Sequence, residues 1–125
     1  MTCVFCEQIA TEGAPVAELA TAVLLRDRYP VTHGHLLAVP KRHLDEFFKL
    51  DDNELRDLWQ LLKDGQERIA EDDPSVEGFN VGVNAGIVAG QTISHVHIHL
   101  IPRRAGDTDD PRGGVRGVIP DRMKY

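Results

Sequence analysis

The chain has 125 residues, 42% of them hydrophobic, with a formal charge of -6 and a pI near 5.4, which fits one domain able to bury a core without disulfide staples. The acidic balance excludes non-specific binding to nucleic acid or to anionic membrane, since both need clustered Lys and Arg; a single nucleotide needs only backbone amides and a few side chains. Met1 to Glu7 has no basic segment leading into an apolar one, and no stretch reaches the roughly 18 uncharged apolar residues of a membrane span, so a cytoplasmic location is expected.

In chain order, Cys3 and Cys6 come first, as a redox pair, two metal ligands or a disulfide, the last disfavoured in a reducing compartment. Thr21 to Asp27 reads as a strand closed by Pro30, and His35 to Val39 as a second strand stopped by Pro40. The short loop between them favours antiparallel pairing, because a parallel crossover needs a dozen or more residues. Asp51, with Glu54 three residues on, caps the one long helix, whose expected inner stripe is Leu55, Leu58, Trp59, Leu62 and Ile69. Asp72-Asp73-Pro74 ends it. Gly78 to Asn84 alternates as a third strand, Ala85 to Gly90 forms a loop, and His95 to Ile101 is the fourth strand, ended by Pro102. From Arg103 the chain turns polar and glycine-rich around an apolar island at Val115 to Ile119, a tail that is either mobile or packed on a partner. The fold class is α+β.

Ser94-His95-Val96-His97-Ile98-His99-Leu100-Ile101 alternates imidazoles with branched apolar residues. In a strand this puts three histidines on one face and Val96, Ile98 and Leu100 on the other. Neighbours in such a row lie roughly 6.6 Å apart and its ends roughly 13 Å apart, too far for one zinc ion to hold all three. Exposed histidines on a half-buried sheet would give the same pattern, yet three of the six histidines in strict alternation favour chemistry. A neutral imidazole near pH 7 is both nucleophile and proton carrier, and its attack on a phosphoryl group splits one hard displacement into two easier ones. Asn84, Gln91 and Thr92 supply donors for phosphate oxygens, and Gly86 and Gly90 let the backbone approach a ligand closely.

Gly90 to Arg103 resembles the defining motif of the histidine triad family, His-φ-His-φ-His-φ-φ, and the likeness extends to Val81 to Gly86, Gly34 to His43 and Cys3 to Cys6. The resemblance implies a histidine triad fold, with a mostly antiparallel sheet of about five strands, one long and one short helix, and two protomers paired as a homodimer. The likeness covers most of the chain before the tail, giving a domain at 1–104 and a tail at 105–125, whose apolar island at Val115 to Ile119 is expected to dock across the dimer. It makes His97 the nucleophile that takes up a nucleoside monophosphate, His99 the group that contacts the phosphate and assists the leaving group, and His35 a support for the nucleophile. Asn84, Gln91 and Thr92 correspond to phosphate contacts and Asp27 to the carboxylate on the ribose hydroxyls. The base, a purine, would sit around Phe5, Ile9, Leu25 and Leu37, although one branch of the family has an aromatic where Leu25 stands.

In metal-bearing members the first triad histidine joins a cysteine pair and a histidine after the Pro-Lys segment. The resemblance therefore implies a closed, structural Zn²⁺ site on Cys3, Cys6, His43 and His95. His33 is left as an exposed residue, and Lys41 and Arg42 as a solvated basic pair. The implied function is hydrolysis or transfer at the α-phosphate of a purine nucleotide conjugate, an adenosine phosphoramidate or a dinucleoside polyphosphate, through a nucleotidyl-histidine intermediate. Two rivals are a nucleotide-sensing or protein-docking module with vestigial turnover, and a zinc hydrolase with its ion on His97.

Overall fold

The computed structural model describes residues 3–11 and 13–125. A short helix α1 (Val4–Thr11) precedes strands β1 (Ala17–Glu18), β2 (Ala22–Arg26) and β3 (Leu36–Pro40); the long helix α2 (Asp52–Asp72), β4 (Val76–Gly82) and β5 (Ile98–Arg104) follow. The strands form one sheet in the order β1-β2-β3-β5-β4, antiparallel at each pairing. This is the α+β arrangement expected. No helix among the described residues is long and apolar enough to cross a membrane.

Alternation along the strands sorts their side chains onto two covered faces. Leu24, Leu36, Ala38, Ile98 and Leu100 pack against Leu58, Leu61, Leu62 and Ile69 of α2. On the opposite face Val23, Leu25, Leu37 and Val39 pack with Phe5 of α1 and with Ile9 and Ile93. His99 stands opposite Leu37 in the β3–β5 pairing and so shares the α1 face. The sheet thus turns His99 away from the long helix.

Helix α2 starts as its sequence predicts: the Asp51 carboxylate accepts from the Glu54 N–H at 2.8 Å, and Glu54 Oε1 accepts from the Asp51 N–H at 3.0 Å. Its inner face is rotated from the expected stripe. Leu55 is 49% and Trp59 62% exposed, whereas Glu54, Leu61 and Gly65 are buried. Glu54 can lie inside because Arg42 pairs with both its oxygens, at 2.7 and 3.1 Å. Gly65 lets the helix settle onto the sheet, since a Cβ there would come within 2.9 Å of Leu100 Cδ2 and 3.1 Å of Leu24 Cδ2. An apolarity pattern passes over both residues, one charged and one without a side chain.

Two strand boundaries also move. β4 ends at Gly82, leaving Val83 and Asn84 to the loop, and its pairing with β5 is irregular between Val76 and Gly78. β5 begins at Ile98 and runs through Pro102 to Arg104. The proline is tolerated because β3 pairs with β5 only as far as Leu100, so beyond that point one side of β5 has no ladder to interrupt. The tail does not form a loose arm: Arg103 binds Asp107 and Asn80, and two 3₁₀ turns, Gly114–Val118 and Pro120–Arg122, follow. Arg116 donates to the carbonyls of Arg122 and Met123. Val115, Val118 and Ile119 remain exposed.

Candidate active site and metal cluster

The three triad histidines lie on the α1 side as expected: Phe5 packs on the rings of His95 and His97, with centroids 5.8 and 4.9 Å away, and the His97 ring lies 5.1 Å from that of His99. His95 and His97 precede β5, and the three imidazoles have different partners. His95 is fully buried, and its Nε2–H donates to the Pro40 carbonyl at 2.8 Å. That bond leaves the Nδ1 lone pair facing Cys3 Sγ at 3.4 Å and Cys6 Sγ at 3.5 Å, while His43 Nδ1 lies 3.3 Å from Cys6 Sγ. Donor atoms of Cys3, Cys6, His43 and His95 all fall within 4.8 Å of one another.

This geometry fits a tetrahedral ion. Bonds of about 2.3 Å to sulfur and about 2.0 Å to nitrogen give a sulfur-to-nitrogen edge of about 3.5 Å, close to the three separations found. Two thiolates would balance a divalent charge, and the carbonyl behind His95 fixes the tautomer that presents Nδ1 as a ligand. A second grouping, Asp27, His35 and His99, fits less well. Its two imidazole nitrogens are 2.9 Å apart, a hydrogen-bond distance, and shorter than the about 3.3 Å edge between nitrogens sharing a zinc. Neither grouping includes His97, as the zinc-hydrolase rival requires.

His97 and His99 sit side by side with ring centroids 5.1 Å apart, and both line a cavity of about 310 Å³ on the α1 face. His97 Nδ1–H donates to the His95 carbonyl at 2.9 Å, which leaves the Nε2 lone pair uncommitted. The Val31 N–H donates to His35 Nδ1 at 3.2 Å, so His35 carries its proton on Nε2. That proton goes to His99 Nδ1 at 2.9 Å, and His99 must then carry its own proton on Nε2. Backbone groups thus set the tautomers of all three imidazoles: His97 offers a lone pair, and His99 offers a proton.

Burial lowers the pKa of His35, with the Asp27 carboxylate, 3.4 Å from His35 Nε2, opposing the shift. Burial likewise lowers that of His99, reinforced by the neighbouring His97 and His35 rings. Both imidazoles are therefore neutral at pH 7, as the hydrogen-bonded chain requires.

The cavity brings Asp27, Asn84, Thr92, Phe5 and Leu37 together with the imidazoles of His35, His97 and His99. Asp27 keeps one oxygen on the Tyr29 N–H at 2.8 Å. Gln91 is not in the lining; its amide accepts from the Gly86 N–H and donates to the carbonyls of Asp45 and Ile93, tying the loop to the segment before α2. Ile9 and Leu25 also lie off the lining and pack in the apolar layer with Phe5 and Leu37. Of the residues set aside in the sequence, His33 is exposed as expected. Lys41 and Arg42 are not a free basic pair, since they bind Glu18 and Glu54. A larger cavity, about 900 Å³, lies elsewhere, between Arg103 and the tail, and is lined by none of the histidines.

The HIT domain model matches residues 11–106. This chain belongs to the HIT family. An uncharacterised HIT-like protein of Methanocaldococcus jannaschii is 36% identical over 124 residues, covering 97% of this chain and 95% of that one. An adenosine 5′-monophosphoramidase of Candida albicans is 32% identical over 108 residues, covering 82% and 71%. Among solved structures, a zinc-bound histidine triad family protein from Mycobacterium smegmatis superposes with a TM-score of 0.77 at 27% identity, covering 87% of this chain and 80% of that one.

Sequence reasoning about this HIT protein missed the groups that fix its imidazoles, the Val31 N–H and the carbonyls of Pro40 and His95. Main-chain donors carry no side-chain signal. It also missed Gln8, a buried polar residue on α1 that lines the cavity; its place beside Phe5 and Ile9 was the available hint.

Proposed function

We propose that this HIT protein hydrolyses purine nucleoside phosphoramidates or related conjugates, such as dinucleoside polyphosphates, through a nucleotidyl-His97 intermediate. The observation that carries the reading is the pair of fixed tautomers, a free Nε2 lone pair on His97 beside a donating Nε2–H on His99. His97 Nε2 attacks the α-phosphorus and the bond to the leaving amine breaks, while His99 Nε2–H gives its proton to the departing nitrogen. Water then attacks phosphorus, returning a proton to His99 Nε2, and the bond to His97 breaks. Over the cycle one water supplies both the new phosphate oxygen and the amine's proton. Asn84 and Thr92 bind the phosphate oxygens, Asp27 the ribose, and the apolar wall around Phe5 and Leu37 the base. Gln91 acts by positioning the loop.

The cysteine and histidine cluster takes Zn²⁺ as a closed structural site, which would cross-link the N-terminal segment to the residues just before the nucleophile. Two protomers pair, with the tail at their interface. The name of the Candida relative supports the phosphoramidate as first substrate. The experiment is steady-state hydrolysis of adenosine 5′-phosphoramidate by the wild type and His97→Ala. The reading requires kcat/KM to fall by at least about 10³-fold with AMP binding retained; comparable turnover by the variant would refute it and favour a binding module.

A further inference from the structure

Gln8 is an anomaly on the wall of the nucleotide cavity. It is only 6% exposed and shares the cavity lining with the apolar Val4, Phe5 and Leu37. Its amide makes no hydrogen bond among the described residues, although each fully buried side-chain nitrogen or oxygen there has a partner. The amide therefore keeps contact with solvent, and Gln8 is among the residues that line the cavity. A ring that displaces that solvent must replace its hydrogen bonds or leave the amide unpaired at a cost in free energy.

We infer that the Gln8 amide hydrogen-bonds the polar edge of the purine, making it the residue that sets base specificity. The inference rests on the nucleotide reading of the cavity. Phe5 packs on His97 with centroids 4.9 Å apart, so α1 borders the reaction centre at that residue. Gln8 follows Phe5 by three residues, roughly 4.5 Å along the helix axis, and Cys3 and Cys6 mark the metal end of the same helix. The α1 wall of the cavity is made by Val4, Phe5 and Gln8. Two of these offer apolar surface for the face of a flat ring, and Gln8 alone offers a paired donor and acceptor for its edge. An adenine edge presents the complementary pair, an exocyclic N–H beside a ring nitrogen.

The test compares AMP with the monophosphate of purine riboside, which lacks the 6-amino group, by calorimetry on the full chain. Wild type is expected to bind AMP about tenfold more tightly. Gln8→Leu and Gln8→Met, which keep the volume and suit the apolar surroundings, should bind the two nucleotides within about twofold of each other. With the matching phosphoramidates the loss should appear in KM while kcat stays within about twofold. Equal affinity in wild type, or undiminished discrimination in both variants, overturns the inference. So does a variant that changes the penalty for 2′-deoxy-AMP instead, which would put Gln8 on the sugar. Calorimetry requires no turnover, so it judges Gln8 separately from the hydrolase reading.

Discussion

His35 Nε2–H donates to His99 Nδ1 across 2.9 Å, and this one bond decides which nitrogen of His99 faces the cavity with a proton. Because the Val31 N–H already occupies His35 Nδ1, the bond cannot run in the other direction while both rings are neutral. His35 is a positioning residue in this account. His35→Ala should lower kcat roughly tenfold to a hundredfold, part of what a general acid contributes, with KM nearly unchanged. His35→Gln, whose amide can donate in the same direction, should recover some of the loss. Equal kcat in wild type and both variants would contradict the relay.

The same chain makes a prediction about protons. Ring ¹⁵N spectra should show Nε2–H tautomers for His35 and His99 and Nδ1–H for His97. On acidification, His35 and His99 should titrate below the usual 6.5, because burial disfavours their charged forms. The unfolded chain takes up these protons at about pH 6.5 and the folded chain only at lower pH. This part of the stability is therefore intact above pH 6.5 and is lost as pH falls through and below it. Midpoints above 6.5 would contradict the burial argument.

Much of the site was legible in the sequence, for reasons particular to its residues. Alternation in Ser94 to Ile101 marked the buried Val96, Ile98 and Leu100 correctly, and Asp51 with Glu54 marked the start of α2. What moved was the strand's start: β5 begins only at Ile98, although Phe5 still packs on both His95 and His97. The expected division of labour is kept, with His95 at the cysteines and His97 and His99 in the cavity. The buried face of α2 was read one step off, because Glu54 is held inside by Arg42, a residue twelve positions away that periodicity cannot see. Gln91 has the residue type of a phosphate donor, yet its amide is taken up by three backbone groups.

The cluster of Cys3, Cys6, His43 and His95 predicts about one zinc per chain in protein purified without added metal. His43→Ala is the informative variant, since His43 is exposed and its removal leaves the core intact. It should lower zinc content and Tm together, and chelation of the wild type should lower Tm similarly. Full zinc retention in both His43→Ala and Cys6→Ser would rule out this ligand set.

Glu54 predicts an acid-sensitive helix start. The Arg42 guanidinium holds its carboxyl below the usual range, aided by the Asp51 N–H and opposed by burial. The stability from this depressed pKa is present above the ordinary carboxylate range and is lost as pH falls through the folded value. Glu54→Gln should cost about 1–3 kcal/mol at pH 7 and flatten the fall in stability below about pH 4.5. Denaturant unfolding at several pH values measures both.

Close packing at Gly65 predicts that Gly65→Leu overfills the contact between α2 and Leu24, Leu36 and Leu100. The cost should be about 1–3 kcal/mol or more, seen as a Tm lower by several degrees. An unchanged Tm would mean that the helix can lift from the sheet freely.

The most direct test of the central claim is intact-protein mass spectrometry after mixing wild type and His97→Ala with adenosine 5′-phosphoramidate and quenching in alkali, which spares phosphohistidine. One added adenylyl mass is expected in wild type, mapped to His97, and none in the variant. Absence of the adduct from wild type at short reaction times, while AMP still forms, would contradict covalent catalysis by His97.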